Sequence, residues 1–272
     1  MKKKFLKIVA LIVASVLILG LLFFANAFLG NPISKTMATN TAKKYLAETY
    51  AGTDYCLEEV SYSFKDGHYY AHIESPSSID TKFSLSITMF GKISYDTYEN
   101  VQMGFNTAQR LESEYRELTD TVFDNGTFPY ESDISFGTLE IYPEEALSTT
   151  GSFDVASYAM NQNELVLDKI YDIKEVGKEA GHLVVYVQSD VVTVEEASKL
   201  ILDVKEIFDR ADVPFKAIDF TLQHPLTEDE PRSDEQVNVA QFLYEDIYKE
   251  GMVERVQAAH DALEAYYNGI SK

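Results

Sequence analysis

The sequence predicts an α+β protein: a single N-terminal transmembrane helix followed by two small α+β sandwich lobes, with antiparallel or mixed sheets packed against helices. Three observations predict it. No charge falls between Ile8 and Leu29, whereas the chain beyond is polar and patterned. Segments alternating apolar and polar residues, the strand period, are punctuated by Asp66-Gly67 and Gly91-Lys92. Longer segments repeat apolar residues every three or four positions, the helix period.

The first element is residues 5–29. At 1.5 Å per residue, about 20 apolar residues match the hydrocarbon core of a bilayer. Lys2, Lys3, Lys4 and Lys7 surround its start. Basic flanks stay in the cytoplasm, so the N-terminus is expected inside and residues 31–272 outside. A cleaved signal peptide is the competing reading. Ala25-Asn26-Ala27 fits the small-x-small pattern, with the cut after Ala27, but the apolar run exceeds the ~7–15 residues of a signal core. Both readings place the folded part outside the cytoplasm. No cysteine directly follows the run, which argues against a lipid-anchored mature end.

Asn31-Pro32 ends the membrane helix. A helix over 34–50 follows, with Ala38, Ala42, Tyr45, Leu46 and Thr49 on one face and Gly52 as its stop. Strands are expected over 55–65 and 68–75, joined at Asp66-Gly67. Residues 82–90 alternate Phe83, Leu85, Ile87 and Met89 against Ser84, Ser86 and Thr88, a half-buried strand. A short strand over 93–96 leads to one long helix over 99–122, striped by Val101, Phe105, Ala108, Leu111, Tyr115, Leu118 and Val122. Asp124-Asn125-Gly126 stops it. The predicted divisions are therefore 1–30 for the cytoplasmic stub and anchor, 31–126 for the first lobe and 127–272 for the second.

The second lobe opens with a strand over 134–142, closed by Pro143, and then an unassigned stretch over 144–160. A helix is predicted over 161–176, with Leu165, Ile170 and Ile173 inward, and a turn over 177–181. The run Leu183-Val184-Val185-Tyr186-Val187 reads as a central strand covered on both faces. Thr193-Val194-Glu195-Glu196 is a capping box. The helix it starts carries Val194, Ala197, Leu200, Ile201, Val204, Ile207, Phe208 and Ala211 on one side. A strand over 215–222, a charged loop over 227–235, a strand over 237–244 and a last helix over 246–267 complete the chain. That helix is expected to turn Ile247, Val253, Val256, Leu263 and Tyr267 inward.

Composition bounds the function. The formal net charge is −21, and because four lysines sit at the N-terminal end of the apolar run the remainder carries −25. A field of that sign repels nucleic acid and anionic lipid headgroups, and its plainest meaning is a soluble surface. Cys56 is the only cysteine, so no intramolecular disulfide forms and the exported part depends on its core. Between Tyr55 and Leu57, Cys56 reads as core filler.

The motifs of common chemistries are missing. There is no G-x-S-x-G, no serine three residues before a lysine, no phosphate-cradling glycine loop and no calcium loop. No cofactor is expected, nor a catalytic or metal-binding set. His68 and His72 share a strand, where four residues span ~13 Å, too far for one metal. His182 opens a buried strand, His224 precedes Pro225 in a loop, and His260 reads as a solvated ion pair with Asp261 and Glu264. Glu144-Glu145 and Glu195-Glu196 read as helix starts and Glu228-Asp229-Glu230 as loop. Asn125-Gly126-Thr127 matches a glycosylation sequon, but the turn explains it without sugar. The candidates for partner contact are Tyr69, Tyr70, Tyr95 and Tyr98. Neighbours on a strand face opposite ways, so one of Tyr69 and Tyr70 is expected at the surface.

The run Asn-Pro-Ile-Ser-Lys-Thr-Met-Ala-Thr-Asn-Thr-Ala-Lys-Lys-Tyr-Leu-Ala-Glu-Thr-Tyr over 31–50 and the strands over 55–79 resemble the YfjL-like proteins of Gram-positive bacteria. The resemblance implies a membrane-associated surface protein and supplies no catalytic residue to carry over. The helix–strands–helix order is also similar to PepSY and cystatin-like sandwiches, in fold alone. The expectation is a membrane-anchored, non-catalytic binding or accessory module with a protein or small-molecule partner. The alternatives are an extracytoplasmic hydrolase using carboxylates or histidine, and a regulatory or inhibitory module for an envelope protease.

Overall fold

The computed structural model describes residues 2–124, 126, 128–132, 134–148, 153–225 and 235–270. They divide into two compact units between Gln102 and Met103.

The first unit begins with α1 (Lys2–Leu29), the uncharged run as one continuous helix. Gly30, with φ +70°, breaks it. Asn31 then caps α2 (Pro32–Thr49), its side chain accepting from the Ser34 amide at 2.8 Å. Pro32 occupies the first helical position, where its missing N–H costs nothing, so α2 starts two residues ahead of expectation. Ala38, Ala42 and Leu46 lie on an antiparallel meander of β1 (Cys56–Ser63), β2 (His68–Glu74), β3 (Lys82–Ile87) and β4 (Ile93–Asp96). Strand alternation aims Tyr69, Ala71 and Ile73 of β2, and Phe83, Leu85 and Ile87 of β3, at the helix. The alternation expected to Phe90 stops at Ile87. The Thr88 amide bonds to the Lys92 carbonyl there, and Met89 and Phe90 ride the turn in the open. One short helix, α3 (Glu99–Gln102), closes the unit with Val101 in the core.

The second unit opens with α4 (Phe105–Phe123). The single helix expected over 99–122 is thus two, in different units. Gly104, at φ +74°, separates them, and a Cβ there would lie 2.5 Å from the Gln162 carbonyl oxygen. Gln162 also donates through its side chain to the Met103 carbonyl. The division expected at 126/127 falls at 102/103 because α4 serves β5 (Ser135–Leu139). Glu112 accepts from Thr138 and from the Leu139 amide, and Thr119 accepts from the Gly137 amide. Side chains of α4 thus satisfy that strand's backbone.

The chain continues through β6 (Ile141–Tyr142), α5 (Glu144–Leu147), β7 (Met160–Asn161), α6 (Ile173–Ala180), β8 (Gly181–Gln188), α7 (Val194–Arg210), β9 (Ala217–Gln223), β10 (Gln236–Leu243) and α8 (Met252–Ile270). The main sheet has the order β10-β9-β8-β5, with β8 and β9 parallel and both edge strands antiparallel. A separate parallel pair joins β6 to β7. Leu183, Val185 and Val187, then Ile218, Phe220 and Leu222, enter a core roofed by Leu200, Ile201, Val204 and Phe208 of α7 and Val256 of α8. Thr193 caps α7, accepting from the Glu196 amide at 3.2 Å.

Four expectations need correction. Residues 165–172 are loop, and α6 starts only at Ile173, capped by Asp172. The loop's backbone finds partners elsewhere: the Val166 amide donates to the Tyr171 hydroxyl, and Arg110 donates to the Lys169 carbonyl. Gly177, expected in a turn, lies within α6, where its missing Cβ leaves room for the Tyr115 ring. β8 is central but covered on one face; Val184 and Tyr186 on the other are half-buried. Finally, α8 begins at Met252, and its Val253 and Tyr267 are exposed. The sequon's Asn125 and Thr127 and the acidic Glu228-Asp229-Glu230 lie outside the described residues.

Candidate functional site

Strand parity sets the site. On β8, Leu183, Val185 and Val187 take the core face, so His182 takes the other. On β9, Ile218 and Phe220 take the core and Asp219 the other face. The parallel register sets His182 beside Ala217, two residues before Asp219, on the same face. Glu140 joins from the connection between β5 and β6, and Tyr158 from the segment before β7.

His182 is only 4% exposed and has both ring nitrogens engaged. Nδ1 lies 3.0 Å from Glu140 and 2.6 Å from the Tyr158 hydroxyl, and Nε2 lies 2.9 Å from Asp219. Asp219 also accepts the Gln241 amide at 2.6 Å. Gln241 sits at φ +50° in the bulge where the β10 register slips against β9. Its side chain reaches the Phe153 carbonyl at 3.0 Å. The cluster and the bulge therefore fasten the 153–158 segment over an otherwise half-open sheet face.

Burial by itself would push the ring of His182 down; hydrogen bonds and charge from Asp219 and Glu140 outweigh it and hold the pKa up at about 9. The imidazole is thus an imidazolium at neutral pH. Burial, then the Glu140 carboxylate, pushes Tyr142 up to about 12. Burial, then Glu140 and Asp219, pushes Tyr158 up as well. A protonated ring with both nitrogens bonded offers no lone pair to a substrate proton or a metal. Its evident work is to neutralise two carboxylates and lock the segment above it. Asp219, 41% exposed at its side chain, is the member open to solvent.

Two grooves flank the start of α6 and share Asp172 and Glu175. One, of about 770 Å³, is lined by Met160, Leu165, Val166, Ile170, Tyr171 and Val176 among others. The other, of about 490 Å³, has Phe208, Pro214, Phe215 and Tyr244 as its apolar wall and Lys174, Lys178 and Lys216 at its rim. Each lysine already faces a carboxylate: Asp212, Glu175 and Glu245 respectively. Neither groove is lined by His182, Glu140 or Asp219.

The tyrosines separate. Tyr69 is interior, its hydroxyl accepting from the Asn31 amide and donating to the Asn31 carbonyl. Tyr98 is half-buried in a ring cluster with Tyr50, Tyr55 and Phe83. Tyr70 and Tyr95 meet on the outer face of the sheet, hydroxyls 3.3 Å apart, with Asp66 accepting from Tyr70. That bond, first, holds the Asp66 carboxyl down at about 2. His68 and His72 share this face but bond to serines: His68 to Ser86, His72 to Ser61 and Ser84. His260 pairs with the Asn238 backbone in place of an ion pair, and His224 meets Glu235 at 3.3 Å. Among the described residues no group of three His, Cys, Asp or Glu side chains is placed to hold a metal ion.

Sequence reasoning missed the His182 cluster. The signal available was two lone ionisable residues, His182 and Asp219, each set in an apolar strand of one β–α–β unit. Glu140 and Tyr158 gave no local sign.

No curated protein and no solved structure matches the chain. Two family models do: the YfjL-like N-terminal domain over residues 2–97 and the YfjL-like C-terminal domain over residues 114–257. The two matches follow the two units, one on each side of the break at Gly104, and the chain belongs to the YfjL-like family.

Proposed function

We propose that the protein is a single-pass, membrane-anchored module at the bacterial cell surface. Its N-terminus is cytoplasmic, its two units are outside, and it binds or assists a partner without catalysis. The observation that carries this reading is α1. Among the described residues, sixteen of its large apolar side chains are exposed within the chain. At ~1.5–3 kcal/mol for burying each, lipid cover is worth on the order of 20 kcal/mol or more. Lys2, Lys3, Lys4 and Lys7 favour the cytoplasmic side for its start. Retention of the anchor is supported by Ala27, which is helical and whose carbonyl accepts from Tyr62 at 2.9 Å. A peptidase needs that segment extended and its backbone free.

Alkaline washing of membranes is expected to leave the intact chain in the pellet, and protease added to whole cells to digest residues 31–272. A soluble product starting at Phe28 would replace the anchor with a cleaved export signal. Full protection in intact cells would overturn the orientation. The partner-contact residues we assign are Tyr70, half-buried, and Tyr95, exposed, which meet on the outer face of the sheet.

One observation favours the hydrolase reading, the carboxylate–imidazole–carboxylate line through His182. A base there works only once the ring loses its proton, so turnover would climb toward pH 9 and vanish in His182→Gln. An activity that does both replaces the accessory role.

A further inference from the structure

The sheet of the first unit has two ends. β1 runs up to a turn over 64–67, β2 returns, β3 runs up to a turn over 88–91, and β4 returns. The register aligns Tyr62, Tyr69, Ile87 and Ile93 in the row beneath these two turns. Over the same row lies the junction of α1 and α2. Tyr62 donates to the Ala27 carbonyl and Tyr69 bonds both backbone groups of Asn31. Both hairpin tips and the first turns of α2 therefore occupy the end from which α1 departs.

That end is apolar where hairpin tips are ordinarily polar. Phe90 is 79% exposed, Ile33 75% and Phe64 60%. Phe64 lies 6.1 Å from the ring of Phe28 at the foot of α1. The turn holding Phe90 is tied to α2 by the Thr41 hydroxyl, which donates to the Gly91 carbonyl at 2.9 Å. The apolar surface thus continues that of α1, within one unit. Its charge is inverted as well. In a chain of net charge −21, the described residues of this end carry exposed Lys35, Lys65 and Lys92 against one carboxylate, Asp66. Apolar side chains ringed by lysines, at the foot of an apolar helix, suit the boundary between acyl chains and anionic headgroups.

We propose that this end is a membrane foot. Phe64, Phe90 and Ile33 enter the interface of the bilayer that α1 spans, and Lys35, Lys65 and Lys92 bind anionic lipid phosphates. The apolar run from Ile8 to Leu29 covers ~33 Å at 1.5 Å per residue, against ~30 Å of hydrocarbon, so Gly30 emerges at headgroup level. The inference rests on the anchor reading above. Its consequence is a first unit held at a fixed orientation on the lipid surface.

The chain has no tryptophan, so single substitutions report depth directly. Full-length Phe64→Trp and Phe90→Trp are reconstituted into vesicles of phosphatidylcholine and phosphatidylglycerol containing brominated lipid. Ile79→Trp, in the turn at the opposite end of the sheet, is the reference. The Phe64→Trp and Phe90→Trp variants are expected to emit blue-shifted and to be quenched by bromine, and the Ile79→Trp variant to emit as an indole in water. Vesicle flotation separates the two readings. A chain that fails to float overturns the anchor and the foot together. A chain that floats with the indoles at positions 64 and 90 unquenched overturns the foot alone. Quenching of the same strength in pure phosphatidylcholine overturns the role of the three lysines. Quenching that falls when all three are changed to Glu supports it.

Discussion

Replacing His182 by Gln removes the positive charge between Glu140 and Asp219 while keeping a polar side chain of similar reach. The ring's pKa is carried from its ordinary 6.5 to about 9, which at ~1.4 kcal/mol per pH unit corresponds to ~3 kcal/mol of folding stability. Asp219 is partly open to water, and screening reduces this to ~2–3 kcal/mol. Because the folded state raises the pKa, that stability is present in full below pH 6.5 and is lost as the pH rises through 9. The variant lacks the titrating ring. Its deficit against the natural protein should therefore be larger at pH 6 than at pH 10 by ~2–3 kcal/mol. Groups away from the cluster titrate alike in both chains and cancel. Hydrogen exchange of the β8 amides over that pH range measures the deficit in the second unit alone, without involving α1. Parallel stability profiles for the two chains would refute the charged-ring account and leave His182 a neutral hydrogen-bonding residue.

Four further outcomes follow from the packing. Gly30→Ala should destabilise the first unit by ~2–4 kcal/mol, read as faster exchange in β2: a left-handed backbone strains any side chain, and a Cβ would sit 2.7 Å from Tyr62 Cγ and the Tyr69 hydroxyl. Thr193→Ala should lower stability by ~1 kcal/mol in urea unfolding, since it leaves the Glu196 amide without its cap. Phe208→Ala should cost ~3–5 kcal/mol, because that ring is fully buried against Phe123 and Phe215. Ile170→Asp should change stability by less than ~0.5 kcal/mol, as the side chain is 78% exposed; a large loss there would restore the helix that periodicity assigns to 161–176.

Legibility in the sequence followed the range of the signal. The extent of α1, the presence of a hairpin near Asp66-Gly67 (its turn spans four residues, 64–67, in place of two), the strand over 93–96 and the capped start of α7 were readable, since a charge-free run, a turn signal or a cap is written within a few residues. The 99–122 helix was misread because its stripe runs unbroken across Gly104. What breaks it is the left-handed backbone of Gly104, whose bare Cα packs against the Gln162 carbonyl from far along the chain. The 161–176 helix was misread because Leu165, Ile170 and Ile173 imitate a helical face, while Arg110, Tyr171 and Asp172 stabilise a loop. The tyrosine reading divided in the same way. Alternation separated Tyr69 from Tyr70, but only the four-stranded register brought Tyr70 to Tyr95.

By itself, the sequence determined the class of the protein and the solvent each part prefers: a helix apolar all round, then two patterned units of mixed helix and strand. Those properties sum over neighbouring residues and need no partner. The tertiary structure alone decided where the units divide, which face of β8 stays half-open, and that His182 meets Glu140, Tyr158 and Asp219. The physical reason is that a buried charge is tolerable only beside its counter-charges. Strand register, bulge and loop docking brought those counter-charges from separate stretches of the chain, and no local pattern records such a meeting.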